Sequence, residues 1–347
     1  MPTPKERLLR TLAGEAHDRP PVICCGGMMN AATVEIAAGT VYLLPAAHCD
    51  GRLMAALAVD VHRCTGFENL GVPFDLTLEA ELLGSEVDYG NAACEPRVVR
   101  EAFPSAGAVI RDSVDSLLGH PRVRALTDAV RRLSAAHAHL PVIANIAGPI
   151  STAASAVDPL AFFKGMAREE HATHRVLDLV CEVLEEHARR LVAAGATVVC
   201  IGDPTATGEI LGPHRFAEFA LPRLSRLVAA VRSAGAPVIV HICGDITAVR
   251  HLLPEMRADA LSTDAKVSLG ALKREFPGIR TVGNVSTQLL EFGPPERVAR
   301  QVQRLLAEGV DVVAPACGLS ASTPLTHIRA LTDAVKLGRP LYRNERC

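Results

Sequence analysis

The sequence predicts an α/β fold, and within it a closed (β/α)8 TIM barrel preceded by a short helical extension. Three observations carry this. From residue 121 onward, β-branched runs alternate with helically spaced segments, the pattern of parallel strands joined by helical crossovers. About eight strand-like runs are present over the chain, the number that closes a barrel. Residues able to do chemistry recur where those runs end: Cys25, Asn145, Asp203, His241, Cys243, Asp264, Asn284 and Cys317. In a barrel these ends form one face, the face that carries active sites. No Gly-x-Gly-x-x-Gly follows a strand, so an open dinucleotide-binding sheet has no support.

The elements follow in order. Residues 5–12 make a short amphipathic helix, and 1–19 form an N-terminal helical extension of a single domain spanning 1–347. His17-Asp18-Arg19-Pro20-Pro21 is a turn that feeds a first strand at 22–25. Gly26 and Gly27 permit a tight backbone at its end, just before Met28 and Met29. Helical spacing returns at 31–38 and 52–58. Residues 67–75, with Gly71 and Pro73, read as irregular. A short helix at 77–83, a strand at 85–89 and a polar connector at 95–115 come next. Residues 122–137 are helical, and 141–145 is a strand ending at Asn145, Gly148 and Pro149. Residues 160–194 carry helical spacing in two pieces, broken near 168–171. The strand ATVVCI at 196–201 ends in Gly202-Asp203-Pro204, and a helix opened by proline spans 213–234. Strand 237–243 is followed by helix 246–256, then strand 258–263 ending at Asp264 and helix 269–275. Strand 279–282 ends at Gly283-Asn284-Val285, and helix 294–308 follows. Strand 310–314 ends in Pro315-Ala316-Cys317-Gly318, and a helix at 325–336 closes the series.

Composition narrows the class. A chain of 347 residues is ordinary for one α/β barrel. Hydrophobic residues make up 49%, yet no run is long enough and uncharged enough to span a bilayer. The opening MPTPKERLLRTLAGE lacks the apolar core of a signal peptide, so a soluble cytoplasmic protein with no membrane partner is expected. A net charge of −2 without a basic block argues against a nucleic-acid partner. In such a compartment the ten cysteines stay reduced and mostly buried, with a few free to hold metal. Tryptophan is absent and aromatics are only 3%, which weakens any reading based on stacking sugars or bases.

The stretch PVIVHICGD at 237–245 organises the site. Val238, Ile239 and Val240 read as a buried strand that ends in His241-Ile242-Cys243. Alternation puts His241 and Cys243 on one side of the chain, so an imidazole and a thiol converge at a strand end. That is half of a tetrahedral zinc site. The other half must come from distant sequence, and Asp264 and Cys317 each end a later strand-like run. The bland alternative is a buried His and Cys.

The motifs KERLLRTLAGEAHDRPPV, FENLGVPFDLTLEAELLG, HICGD, ADALSTDAKVSLG, TVGNVS and APACGLSASTPL together resemble the uroporphyrinogen decarboxylase superfamily over nearly the full chain. Within it, the resemblance is to the methylcobamide:thiol methyltransferases, typified by those acting on coenzyme M. It implies that His241, Cys243 and Cys317 bind zinc, with Asp264 able to complete the site where glutamate is more familiar. The decarboxylase branch lacks the first three. Its arginine-rich N-terminal motif is missing too, with CCGGMMN in its place. The implied reaction moves a methyl group from a methylated corrinoid to a thiol such as coenzyme M. Another thiol or tetrahydrofolate as acceptor, or a decarboxylase on the same fold, remain the alternatives.

Further residues take roles around that centre. Asp203 could orient a ligand or take a proton, and its alternative is a helix cap. Glu209 is a weaker case of the same kind. Asn145 and Asn284 could hydrogen-bond the substrate or corrin amides, or only satisfy loop backbone. Met28 and Met29 could line an apolar entrance, or only fill core. Cys24, Cys25, Cys64, Cys181 and Cys200 read as buried small apolar residues. Asp60-Val61-His62-Arg63-Cys64-Thr65-Gly66 resembles the Asp-x-His-x-x-Gly motif of proteins that bind cobalamin through histidine, but its glycine comes one residue late. The methylcobamide is therefore expected on a separate corrinoid protein, and the chain itself as a monomer or homodimer.

Overall fold

A computed structural model describes residues 1–26, 28–39, 44–110 and 113–338; the side chains of Met28 and Met29 lie outside that description. The strand β1 (Leu70–Val72) is followed by an antiparallel hairpin, β2 (Glu86–Asp88) and β3 (Arg97–Arg100). Five strands come after it: β4 (Val142–Ala147), β5 (Val198–Gly202), β6 (Val238–Ile242), β7 (Ala260–Thr263) and β8 (Arg280–Val282). They form a six-stranded parallel sheet in the order β1-β4-β5-β6-β7-β8. Between consecutive strands the chain crosses back through helices or helical turns, as parallel pairing requires.

The sheet is closed on itself by thinner contacts. Val282 bridges to Val312, and Val313 bridges to Val22. On the far side of that run, the Glu68 N–H donates to the Val22 carbonyl. The Asn69 side chain then stands in for a strand: its Oδ1 accepts from Cys24 N–H and its Nδ2 donates to the Cys24 carbonyl, both at 2.9 Å. The strands expected at 22–25 and 310–314 are thus present as ring-closing bridges and not as full ladders.

Side-chain parity divides the ring into two apolar layers. Ile23, Cys25, Ile143, Val198, Cys200, Ile239, Ala260, Val282, Val312 and Ala314 form one cluster. Their strand neighbours, such as Val22, Ala144, Val199, Ile201, Val240 and Val313, pack in the second. Period-2 alternation makes the first the interior of the ring and the second the layer under the helices. The N-terminal helix Pro4–Ala13, set by a Thr3/Glu6 capping box, inserts Leu8 and Leu12 into the interior cluster. It meets the residues that open the strands, so it plugs the ring's N-terminal mouth. The helix read as an extension is part of the core. Arg7 anchors it through Asp18 and buried Glu68, at 2.7 and 2.8 Å, and Arg19 joins Glu68 at 2.7 Å.

Several local readings change. Residues 67–75 contain β1, because tertiary pairing with β4 overrides Gly71 and Pro73. The connector at 95–115 contributes β3, held by pairing to β2. Helices Pro149–Ala156 and Thr287–Phe292 were not foreseen. Residues 31–38 split into a 3₁₀ turn, Met28–Ala31, and a helix, Val34–Ala38, because Asn30 and Ala31 take positive φ. The helix at 52–58 runs over Gly51–Thr65 between an Asp50 cap and Gly66. The one at 213–234 comprises Gly208–Arg215, kinked at Gly212, a π-helical turn Phe216–Ala220, and Leu221–Ser233. Residues 246–256 supply only a 3₁₀ helix, Arg250–Met256. The break near 168–171 holds, with helices Pro159–Arg168 and Glu170–Ala193 on either side. No described helix is long and apolar enough to cross a membrane.

Candidate metal centre

His241 lies on the interior side of β6, two residues beyond Ile239, and Cys243 follows it with the same parity. Cys317 arrives from the run after Val313, on the far side of the ring. The three donors meet at the C-terminal ends of the strands. His241 Nε2 is 2.9 Å from Cys243 Sγ, and the Cys243 and Cys317 sulfurs are 3.0 Å apart. One ligand atom from each of the three lies within 4.8 Å of the others. The ring's other nitrogen, Nδ1, is 2.9 Å from Ser262 Oγ on β7. With Nδ1–H donating to that hydroxyl, the Nε2 lone pair faces the two sulfurs. Ser262 Oγ is also 3.7 Å from the Cys25 sulfur.

The electrostatics favour a ligating state. The hydrogen bond from Cys243 draws the Cys317 thiol down to about 4, against burial, and His241 adds to the effect. The same bond, with burial, pushes Cys243 well up. Burial works against a charged His241, but the Cys317 thiolate outweighs it and raises the imidazole's pKa. The three side chains together make a soft donor set of one nitrogen and two sulfurs. Zinc suits such a set, because it takes thiolate and imidazole ligands and displaces their protons.

The donors face a cavity of about 170 Å³. Its wall includes Cys24, Cys25, Leu76, Cys200, Pro204 and Pro315, so it is apolar and sulfur-rich around the three donors. Asn145 is its main polar feature. Asn145 Nδ2 donates to the Val72 carbonyl at 3.2 Å, while its buried Oδ1 has no partner. A Cβ at Gly26 would stand 1.7 Å from that oxygen, so only glycine allows the backbone so close.

The other expected residues stand elsewhere. Asp203 is fully buried but has the opposite parity on β5, outward with Val199 and Ile201. Its carboxylate accepts from Ile150 N–H at 3.1 Å and from Ser151 N–H and Oγ at 2.8 and 2.7 Å. It therefore caps the helix Pro149–Ala156, and burial lifts it to about 6 despite those bonds. A Cβ at Gly148 would meet that carboxylate at 2.5 Å, so the turn that opens this helix rests directly on Asp203. Asp264 is not among the clustered donors: its oxygens accept from Gly244 N–H at 3.4 Å and Lys266 N–H at 2.9 Å. Asn284 Nδ2 donates to the Asp264 and Val267 carbonyls, both at 2.8 Å, and so fixes the loop that carries Asp264. Glu209 is half-exposed at the rim, 3.5 Å from Lys266 Nζ. The Met28 side chain lies outside the described residues. His62 is hydrogen-bonded to the Phe67 carbonyl at 2.6 Å, at the end of its own helix.

The profile of the family described as uroporphyrinogen decarboxylase (URO-D) matches residues 3–337. The chain belongs to that family. Among its relatives, the methylcobamide:CoM methyltransferase MtbA of Methanosarcina acetivorans is 30% identical over 340 residues, covering 96% of this chain and 98% of that protein. The methylcobamide:CoM methyltransferase MtaA of Methanosarcina barkeri is also 30% identical, over 338 residues, covering 96% and 97%. A solved methyltransferase from Methanosarcina mazei superposes with a TM-score of 0.91 at 28% identity, covering 97% of this chain and 99% of that one. This URO-D family member is therefore methyltransferase-like in sequence and in backbone along its whole length.

Two residues of this URO-D family site, Cys200 and Ser262, carry no signal in the sequence alone, and Cys25 stands at a strand end but also reads as core. Cys25 and Cys200 do lie in the interior cluster, in the layer that floors the cavity. Their interior parity, shared with His241 and Ser262, becomes a usable signal only once the ring has placed the strands side by side.

Proposed function

We propose that this chain is a zinc-dependent methyltransferase that moves a methyl group from a methylated corrinoid to a small-molecule thiol such as coenzyme M. The observation that carries the proposal is the convergence of His241, Cys243 and Cys317 on one side of an apolar cavity at the strand ends. The backbone fits a (β/α)8 barrel with its site at the C-terminal face. The similarity to methylcobamide:CoM methyltransferases supports the same reading.

His241, Cys243 and Cys317 would hold the ion, which supplies the positive charge that lowers an incoming thiol's pKa from about 8.5 to near or below neutrality. Ser262 holds His241 in the ligating tautomer. In the reaction the thiol loses its proton, a sulfur–carbon bond forms, and the carbon–cobalt bond breaks with its electron pair left on cobalt. The apolar wall keeps water from competing for the methyl group. Asn145 offers its unpaired Oδ1 to a donor on the acceptor. Asp264 is assigned the remaining ligand position at rest, with Asn284 fixing its loop. Asp203 positions the helix Pro149–Ala156, accepting from the Ser151 N–H and hydroxyl at its first turn. Glu209 is assigned to the entrance. The corrinoid is assigned to a separate cytoplasmic protein, since His62 is occupied by a backbone carbonyl.

The test is thiol-dependent demethylation of methylcobalamin by zinc-loaded protein. Coenzyme M, homocysteine and tetrahydrofolate are supplied in turn, and product formation is followed. Turnover with a thiol, lost by at least a thousandfold in Cys317→Ala, is expected. Turnover with tetrahydrofolate alone would reassign the acceptor. Decarboxylation of uroporphyrinogen, without methyl transfer, would overturn the proposal.

A further inference from the structure

We propose a second divalent-metal site, formed by Glu170, His174 and Glu218 on the outer helices. Glu170 and His174 are one turn apart at the start of the helix Glu170–Ala193, so they share a face. Glu218 comes from the π-helical turn Phe216–Ala220 that precedes Leu221–Ser233. Glu170–Ala193 ends just before β5 opens, and the π-turn follows soon after β5 closes. Both helix starts therefore lie on the same side of the ring as His241.

The spacing points to an ion. His174 Nε2 is 3.9 Å from Glu170 Oε1 and 3.7 Å from Glu218 Oε1. Each separation exceeds a hydrogen bond. Donors held at about 2.0–2.2 Å from one zinc-class ion stand roughly 3–4 Å apart, a range that includes both His174 separations. One ligand atom from each residue lies within 4.8 Å of the others. One imidazole with two carboxylates is a borderline donor set suited to first-row divalent ions, with water filling the remaining positions.

Two of the three ligands, His174 and Glu218, are also preorganised. The His174 ring stacks on Phe219, with centroids 4.6 Å apart and planes at 20°, so one ring face is pinned. Phe216 and Phe219 are fully buried and hold the π-turn, leaving Glu218 between them facing out. Arg223 Nη1 donates to the Glu218 carbonyl at 3.3 Å, satisfying backbone loosened by the π-turn. His214 Nδ1 is 3.5 Å from the other Glu218 oxygen, Oε2, and can orient that carboxylate from behind.

The site is tested by titrating the metal-free full-length chain with cobalt(II). Two equivalents are expected in wild type. The first gives the strong near-ultraviolet charge-transfer band of thiolate ligation, and the second adds only weak visible bands, because its donors are nitrogen and oxygen. Cys317→Ala should lose the charge-transfer band yet still bind the second ion. Glu218→Gln, which preserves shape, and His174→Ala should each weaken the second equivalent at least tenfold and leave the first unchanged. A single equivalent in wild type would overturn the proposal, as would a second equivalent that both variants retain at full affinity.

Discussion

Ser262 is where a single methyl-scale change reaches the proposed metal centre without touching the donor atoms of His241, Cys243 or Cys317 that would bind the ion. Its hydroxyl is fully buried, 2.9 Å from His241 Nδ1 and 3.7 Å from Cys25 Sγ. Ser262→Ala removes the acceptor for Nδ1–H. A buried donor left unpaired is worth about 1–3 kcal/mol, and the imidazole can then turn over or exchange tautomers. Loss of such a partner lowers metal affinity by about 10–100-fold, the same size expressed as binding. The assay is chelator competition for zinc, with wild type, Ser262→Ala, Ser262→Thr and Cys317→Ala side by side. Ser262→Ala should fall between wild type and Cys317→Ala, and Ser262→Thr, which keeps the hydroxyl, should recover part of the loss. Thermal denaturation of the metal-free proteins reads how much of the unpaired-donor cost falls on the fold itself, and zinc affinities are compared at a temperature where every variant is folded. Unchanged zinc affinity in Ser262→Ala would refute the claim that this serine sets the tautomer.

Three more expectations follow from the same geometry. Asp264→Ala should retain zinc through His241, Cys243 and Cys317, hold it more weakly and alter thiol affinity, and unchanged metal affinity and kinetics would remove Asp264 from the site; in wild type, X-ray absorption should gain one zinc–sulfur contact at about 2.3 Å when the true thiol is added, and an unchanged sulfur count would refute displacement of a ligand by the thiol. Glu79 is fully buried with an unpartnered Oε1, and burial first, then Asp75, raises it from 4.5 to about 7. The folded state holds that proton while the unfolded state loses it, so stability falls as pH rises from about 4.5 to 7, by about 3 kcal/mol at 1.36 kcal/mol per pH unit; Glu79→Gln should flatten this dependence and gain most at pH 8, as denaturant titrations at pH 5 and pH 8 would show. Leu8→Ala should destabilise the chain by about 2–5 kcal/mol in urea unfolding, because Leu8 fills the ring's interior and not a peripheral extension.

The sequence by itself determined the order of the strands from residue 141 onward, because period-2 and helical spacing are local. It also determined the chemistry of the centre: His241 and Cys243 are two residues apart on one strand, so their convergence needs no tertiary information. Cys317 was legible as a third partner only through the resemblance and its place at a later strand end. Other matters were decided by the tertiary structure alone. Parity against neighbouring strands turns Asp203 away from the cavity and into the N-terminus of Pro149–Ala156, a helix that its own sequence did not announce. The same parity turns Cys25, Cys200 and Ser262 inward, where a cysteine or serine in isolation reads as filler. Short strands such as Leu70–Val72 exist because a neighbour supplies their hydrogen bonds, and Leu8 became core because a closed ring leaves a mouth that must be filled. Local pattern fixes which side a residue takes relative to its own strand; only packing fixes what that side faces.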